Sequence, residues 1–174
     1  MEQKKPISHI TAGLLIAAIL IVFSIIMSVF NGSTARPGSG WVNYLVIIAG
    51  LILFIYLYGN ARNNEVGFGD LFSYGFKATA MMTLVFVIFL VIVSFTFPEL
   101  KEKALEAARS EMERQGKLND SDIDKGMNIV QKYFWVFLIG GSMLGFIIIG
   151  AIGSLIGAAV TPKRPHNPLD QLDT

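Results

Sequence analysis

Four long apolar runs constrain this chain more than any other feature of its sequence. They contain no Asp, Glu, Lys, Arg or His, and they lie at residues 10–30, 42–58, 78–97 and 134–160. A helix rises about 1.5 Å per residue, so about 20 apolar residues cross the roughly 30 Å of membrane hydrocarbon. Because hydrocarbon offers no water to pair with backbone N–H and C=O groups, each run must pair them internally, as a helix does. The sequence therefore predicts an all-α fold, an integral membrane four-helix transmembrane bundle.

The composition supports a membrane protein and excludes several functions. Charged residues make up 16% of the 174 residues, against roughly 25% in soluble domains, and the mean hydropathy is +0.56. The formal net charge of +1 gives no reason to expect a nucleic-acid partner. No cysteine is present, which excludes disulfides, thiolate catalysis and cysteine-ligated zinc.

The start of the chain raises the alternative of a cleaved signal peptide. Lys4 and Lys5 precede the first run, and Ser33 and Ala35 are small residues of the kind found at cleavage sites. The apolar core of a signal peptide is typically about 7–15 residues long. The run at 10–30 is longer, which favours a retained membrane anchor.

A polar segment at 98–133 separates the third and fourth runs and predicts an extramembrane insert of two helices. Pro98 suits a first helical turn and Gly116 suits a C-cap. The pattern Ser121-x-x-Asp124 resembles a capping box and predicts the start of the second helix, which can continue into the fourth run as one long helix. Residues 161–174 contain several prolines and predict a flexible tail.

The distribution of basic residues predicts the orientation. With four spans both termini share a side, and the basic residues of the short segments on that side are Lys4, Lys5, Arg62, Lys77, Lys163 and Arg164, against Arg36 in the first loop. Cytoplasmic segments carry an excess of Lys and Arg, so both termini are predicted to be cytoplasmic. The seven Lys and Arg residues of the insert oppose this orientation, and the opposite one stays open.

The stretch "GFGDLFSYGFKATAMM", which begins at Gly67, contains glycines around one Asp and one Lys. It lacks the spacing of a phosphate-binding loop, in which a Lys directly follows the last Gly. We therefore interpret it as an interfacial segment that leads into the third span. Asp70 suits the cap of a short helix, and Lys77 can extend its ammonium group toward lipid headgroups. Asp70 and Lys77 are the predicted lipid or interface contact.

No residue of this sequence forms a recognisable catalytic, cofactor-binding or metal-binding motif. Ionisable residues inside membrane spans mark ion or proton pathways, and the four runs contain none. Their absence argues against a proton-coupled transporter or a voltage sensor. His9 and His166 are isolated in the sequence, so neither predicts a metal site. We therefore predict that the protein is not an enzyme and has no cofactor.

Small residues predict how the spans pack. In the fourth span they form a row at four-residue spacing that is interrupted by Ile149 and consists of Gly141, Gly145, Gly153 and Gly157. The first span has a second small face that includes Gly13 and Ala17. Small faces let membrane helices approach closely, which favours their association. We expect spans one and four to pack together, with homodimerisation through the fourth span as the alternative.

The chain resembles domain-of-unknown-function family 4199. The resemblance covers nearly the whole chain and rests on "FGDLFSYGFK" at the third span, the charged helical insert, and "IIGAIGSLIGAAVTPK" at the end of the fourth. It implies a small four-span protein of the bacterial plasma (inner) membrane. The activity of the family is unassigned, so the resemblance implies no reaction and no catalytic residue.

Two functions remain open at this point. The first is a non-enzymatic structural bundle in membrane lipid whose insert at 98–133 binds a protein partner or a second copy of the chain. The second is a small transporter or lipid-handling protein for an uncharged or zwitterionic solute. A transporter requires a polar cavity near the middle of the membrane, whereas the spans offer only Ser, Thr and Asn43 there.

Overall fold

A computed structural model describes residues 5–31, 41–116 and 119–164 of the chain, without the side chains of 28–31. These residues form six α-helices and no strand. The helices are α1 (His9–Asn31), α2 (Trp41–Ala61), α3 (Phe68–Thr96), α4 (Pro98–Gln115), α5 (Asp120–Lys132) and α6 (Phe134–Val160). The predicted all-α fold is confirmed.

Four of these helices, α1, α2, α3 and α6, are long and apolar enough to cross a membrane. α3 begins at Phe68, well before the predicted start of the third span at residue 78. Leu71, Tyr74 and Gly75 are buried in its first turns. The helix of the third span therefore begins earlier than predicted, because packing against the bundle continues it past the charged residues that ended the apolar run. The position of this stretch at the membrane interface stays a prediction.

α3 is the central helix of the bundle. It contacts α1, α2 and α6, whereas α1 and α6 make no contact with each other in the described residues. The expected packing of spans one and four is therefore wrong. The small face of α1 lies against α3 instead: a Cβ added to Gly13 would lie 2.6 Å from the carbonyl oxygen of Ala78, and Ala17 is fully buried.

α6 carries small residues on two adjacent faces. On the face toward α3, a Cβ at Gly150 would collide with Thr79, and Ser154 lies against Gly75. On the face toward α2, a Cβ at Gly157 would lie 2.7 Å from Cδ1 of Ile55, and one at Gly153 would lie 3.0 Å from Cδ1 of Leu51. These glycines permit the close helix approach that packing in a membrane requires.

The other two glycines of the predicted row are different. A Cβ at Gly141 or at Gly145 would meet no atom of another helix within 4 Å in the part of the chain that the structure describes. Both residues lie in the half of α6 that is nearer the insert. The row is therefore in contact with α2 over only the half that contains Gly153 and Gly157.

α4 and α5 form a helical hairpin beyond α3 and α6. In the described residues, α4 contacts α3 and α5 contacts α6, and the hairpin contacts neither α1 nor α2. Gly116 ends α4 in the left-handed conformation at φ 61°, as a C-cap glycine does. The predicted capping box at Ser121 is wrong: Asn119 is the N-cap, and its Oδ1 accepts a hydrogen bond of 2.9 Å from the backbone N–H of Asp122.

Tyr133 separates α5 from α6, so the hairpin and the fourth span are not one continuous helix.

At the opposite end of the bundle, α1 and α3 begin and α2 and α6 end. There the residues that follow α6 are held in place. Thr161 is buried, and the backbone N–H of Arg164 donates to the carbonyl of Asn64 at 2.8 Å. We call this end of the bundle, where α1 and α3 begin and α2 and α6 end, the terminal end. Residues 161–164 are the described part of the predicted tail. Residues 165–174, which include His166, lie outside the described residues, as does Arg36 of the first loop.

Candidate functional site

A polar cavity of about 360 Å³ opens at the terminal end. Residues 6–8, which precede α1, form one wall, and the last turn of α2 and the first turns of α3 form the others. Its polar residues are Ser8 and His9 at the start of α1, Tyr58 and Arg62 at the end of α2, and Asp70, Ser73, Tyr74 and Lys77 of α3. The cavity brings charged and polar side chains from three helices together and is the candidate functional site.

α3 supplies four of the ten residues that line the cavity because of helical spacing. These residues follow one another at intervals of three, one and three, which places them on one helical face. They are Asp70, Ser73, Tyr74 and Lys77. Asp70 and Lys77, the predicted contact residues, line the same cavity. Asp70 lies in the first turn of α3, where its Oδ2 accepts a hydrogen bond of 3.3 Å from the backbone N–H of Gly67. This bond ties the Asp70 side chain to the start of α3.

Tyr74 ties the walls of the cavity together. Its ring stacks on Tyr58 of α2, with ring centroids 4.2 Å apart and planes 14° from parallel. Its hydroxyl donates a hydrogen bond of 3.0 Å to the carbonyl of Ile7, ahead of α1. The guanidinium of Arg62 lies over the Tyr58 ring, 5.6 Å from the centroid. Three chain segments therefore meet around one buried tyrosine, which fixes the shape of the cavity.

The charged groups of the cavity form no ion pairs with one another. Among the described residues, every ion pair with an N–O distance within 4.0 Å lies in the α4–α5 hairpin. Arg62, Lys77 and Asp70 line one cavity without such a pair. Their charges are therefore free to interact with a bound ligand.

An apolar groove of about 320 Å³ adjoins the polar cavity. The groove shares His9 and Lys77 with the cavity and continues along the outer surface of α1 and α3, where Ile10, Ala80, Met81 and Leu84 line it. Ile10 and Leu84 are 48% and 57% exposed, so this surface faces the surrounding medium, which is lipid for a spanning helix. A polar site and an apolar surface thus meet at Lys77.

The cavity contains a serine, a histidine and an aspartate, the residue types of a hydrolase triad. Such chemistry requires hydrogen bonds from nucleophile to base and from base to carboxylate. In the described residues no hydrogen bond joins Ser73 to His9 or His9 to Asp70, and Asp70 accepts from Gly67 instead. Nor do three or more His, Asp or Glu side chains of the described ranges cluster closely enough to hold a metal ion.

Several cavity residues were not anticipated from the sequence. Ser73 and Tyr74 were hidden because the third span was taken to begin only after Lys77, and the spacing of polar residues along 70–77 was the available signal. Arg62 and Tyr58 come from α2 and its following loop, and His9 comes from the start of α1. No pattern in the sequence links these three segments, which meet only through the packing of the helices.

Comparison with known proteins gives the family and no activity. The family described as "Protein of unknown function (DUF4199)" matches residues 11–163, which include five of the six described helices completely and nearly all of α1. No curated protein and no solved structure matches the chain. With four apolar helices of spanning length, the chain is a membrane protein, and it belongs to the DUF4199 family.

Proposed function

We propose that this protein is a non-enzymatic membrane bundle that binds a phospholipid. The headgroup occupies the polar cavity, and an acyl chain lies along the apolar groove. The observation that carries the proposal is the continuity of these two features at His9 and Lys77. A ligand that fills both must be polar at one end and apolar at the other, as a phospholipid is.

The charges of the cavity support binding of a phosphate group. Arg62 offers a planar set of N–H donors, and Lys77 offers an ammonium group on a flexible stem. Arg62 directly follows α2, and Lys77 lies in the third turn of α3. From positions near the end of a span, long basic side chains can reach the headgroup region of a membrane. A phosphate between them forms charge-assisted hydrogen bonds, which are stronger than neutral ones.

The location of the cavity favours binding over passage of a solute. The polar cavity and the apolar groove lie at and beside the terminal end. Farther along α3, Met82, Thr83 and Phe86 are buried against the neighbouring helices. A transporter needs a solute path through this region, whereas a lipid-binding protein needs only a site open to the membrane.

The lipid content of the purified protein tests the proposal. The double variant Arg62→Gln, Lys77→Gln, isolated in a mild detergent, should retain severalfold less phospholipid per chain than the wild type by native mass spectrometry. Arg114→Gln, Lys125→Gln removes the same number of charges from the hairpin and is the matched control. Equal phospholipid content in all three proteins would contradict the proposal.

A second arm separates a lipid from a free phosphate. Excess inorganic phosphate should not displace the retained phospholipid, because the acyl chain contributes apolar contacts that a free ion lacks. Displacement by phosphate alone would identify the cavity as a site for a soluble anion and would contradict the lipid assignment.

The orientation belongs to the same proposal: the terminal end faces the cytoplasm of a bacterium, and the membrane is its plasma membrane. Arg62, Lys77, Lys163 and Arg164 are all at this end, which supports the orientation. Since the chain has no cysteine, Ser8→Cys and Ser110→Cys each introduce a single label site. A membrane-impermeant maleimide should label intact cells at residue 110 and not at residue 8, and the reverse pattern would invert the orientation.

Binding of a protein partner or a second copy by the hairpin stays a prediction. It is supported by α4, which buries no residue, and by the lack of contact between the hairpin and α1 or α2 in the described residues. Pull-downs from membranes with the full chain and with a variant lacking residues 99–132 should differ in their partners. Identical partner lists would contradict hairpin docking.

A further inference from the structure

We infer that the headgroup bound in the polar cavity carries a primary amine as well as a phosphate, as in an ethanolamine phospholipid. Arg62 and Lys77 hold the phosphate, and Asp70 accepts hydrogen bonds from the ammonium group. This inference rests on the proposed function and specifies the class of lipid that the same site binds.

The first argument is the carboxylate of Asp70. It lines a cavity that also contains Arg62 and Lys77, yet it forms no ion pair within 4.0 Å in the described residues. The bond from Gly67 holds its Oδ2 at the first turn of α3. Lys77 lies seven residues farther along, which is about 10 Å of helix rise. The cavity therefore presents separated charges of opposite sign on one face.

A zwitterionic headgroup matches this arrangement. Its phosphate lies between the two cationic side chains, and its ammonium group, two carbons away, extends toward Asp70. A headgroup with a phosphate and no amine would leave the Asp70 carboxylate unpaired and close to a second negative charge, which is unfavourable. The presence of one acid among the basic groups thus selects against purely anionic lipids.

The aromatic side chains distinguish a primary amine from a quaternary one. A quaternary ammonium has no N–H to donate and is recognised by open aromatic faces. In this cavity the ring of Tyr58 stacks on Tyr74 at 4.2 Å and also lies beneath the guanidinium of Arg62. Tyr74 is only 5% exposed. The rings are therefore occupied, whereas the carboxylate of Asp70 is available to a group that donates hydrogen bonds.

Competition between lipids of identical acyl chains tests the inference. Native mass spectrometry of the full chain should show that a phosphatidylethanolamine binds roughly fivefold more tightly than the matching phosphatidylcholine or phosphatidylglycerol, since exposed charge pairs have effects of this size. In Asp70→Asn this preference should fall to about one. Asn can still accept the hydrogen bond from Gly67, so the start of α3 is preserved.

Glu65→Gln is the matched control, because Glu65 is an exposed acid of the same end that does not line the cavity. It should keep the preference for the ethanolamine lipid. Equal binding of the three lipids by the wild type, or an unchanged preference in Asp70→Asn, would overturn the inference.

The failure of the proposed function has a different signature. If the Arg62→Gln, Lys77→Gln variant retains as much of every lipid as the wild type, the polar cavity binds no headgroup, and both proposals fail. If that variant loses all three lipids while the wild type does not distinguish them, the cavity binds phospholipid through its phosphate alone, and only the amine assignment fails.

Discussion

The charged residues at the two ends of the bundle differ in whether they form ion pairs with one another. In the hairpin, Arg109 bonds both Glu113 and Asp124 at N–O distances of 3.0 Å, and Arg114 bonds Glu111 at 2.9 Å. At the terminal end, Arg62, Lys77 and Asp70 surround a cavity without an ion pair in the described residues. The hairpin charges interact with one another, whereas the cavity charges are available to a ligand.

The packing of α6 differs between the same two ends. Near the terminal end, Gly150, Gly153 and Gly157 lie in close contact with α2 and α3. Nearer the hairpin, a Cβ added at Gly141 or Gly145 would meet no atom of another helix in the described residues within 4 Å. The end that carries the cavity is therefore the tightly packed one. A binding site requires side chains held in fixed positions, and close helix packing provides that support. In the described residues, the hairpin end thus combines paired charges with open space around α6, whereas the terminal end combines unpaired cavity charges with close helix packing.

The largest expected effect comes from disturbing the tightly packed end. Gly150→Leu forces a branched side chain against Thr79 and should destabilise the bundle by about 3 kcal/mol, at the upper end of overpacking effects. Gly141→Leu adds the same side chain to the same helix in open space and should change stability by less than about 0.5 kcal/mol. Thermal unfolding in detergent measures both. Similar losses for the two variants would show that α6 is equally packed along its length.

An intermediate effect is expected from the hydroxyl of Tyr74. Tyr74→Phe keeps the stacked ring and removes the hydrogen bond to the Ile7 carbonyl, which should cost about 1 kcal/mol. Release of residues 6–8 from α3 should also raise hydrogen exchange at the start of α1. Tyr56→Phe, at a residue of α2 that is 46% exposed, is the control. Unchanged exchange in Tyr74→Phe would mean that this bond does not hold the wall of the cavity.

The smallest effect is expected from acidifying the hairpin. Hydrogen bonds from Arg114 and Gln115 hold the pKa of Glu111 below its ordinary value. A folded-state pKa below the unfolded one contributes stability above the unfolded pKa of about 4.3, and this stability is lost as the pH falls through the folded pKa. The protection factors of hairpin amides, which correct for the intrinsic pH dependence of exchange, should therefore fall slightly between pH 6 and pH 3, and by less in Glu111→Gln. The same pH response in Glu111→Gln as in Glu102→Gln would contradict this origin.

The sequence was most informative where a single physical rule decides the structure. Long uncharged runs must be helices in a membrane, and α1, α2 and α6 follow them closely. The start of α3 was misplaced because Asp70 and Lys77 ended the apolar run, although a helix can continue through charged residues that face a cavity. Counting apolar residues alone cannot distinguish a charged residue outside a span from one on the open face of its first turns.

Helix pairing was not predictable from small residues alone. Gly13 and Ala17 do form a packing face, but α3 rather than α6 lies against it. A small face shows that a helix can approach a neighbour closely and does not identify the neighbour. The cavity was harder to predict than the helix pairing, since Tyr58, Arg62 and His9 reach it from separate parts of the chain. Of the cavity residues, only Asp70 and Lys77 were predicted as contacts. Ser73 and Tyr74 share their face of α3, which the late predicted start of the third span concealed.

Photocross-linking with a phospholipid tests the central claim most directly. A phosphatidylethanolamine that carries a diazirine in its acyl chain is irradiated with the full protein in nanodiscs, and the labelled peptides are identified by mass spectrometry. Labelling should concentrate on the groove residues Ile10, Met81 and Leu84 and should fall severalfold in Arg62→Gln, Lys77→Gln. Equal labelling of Leu144, an exposed residue of α6 far from the cavity, would contradict a lipid site at the terminal end.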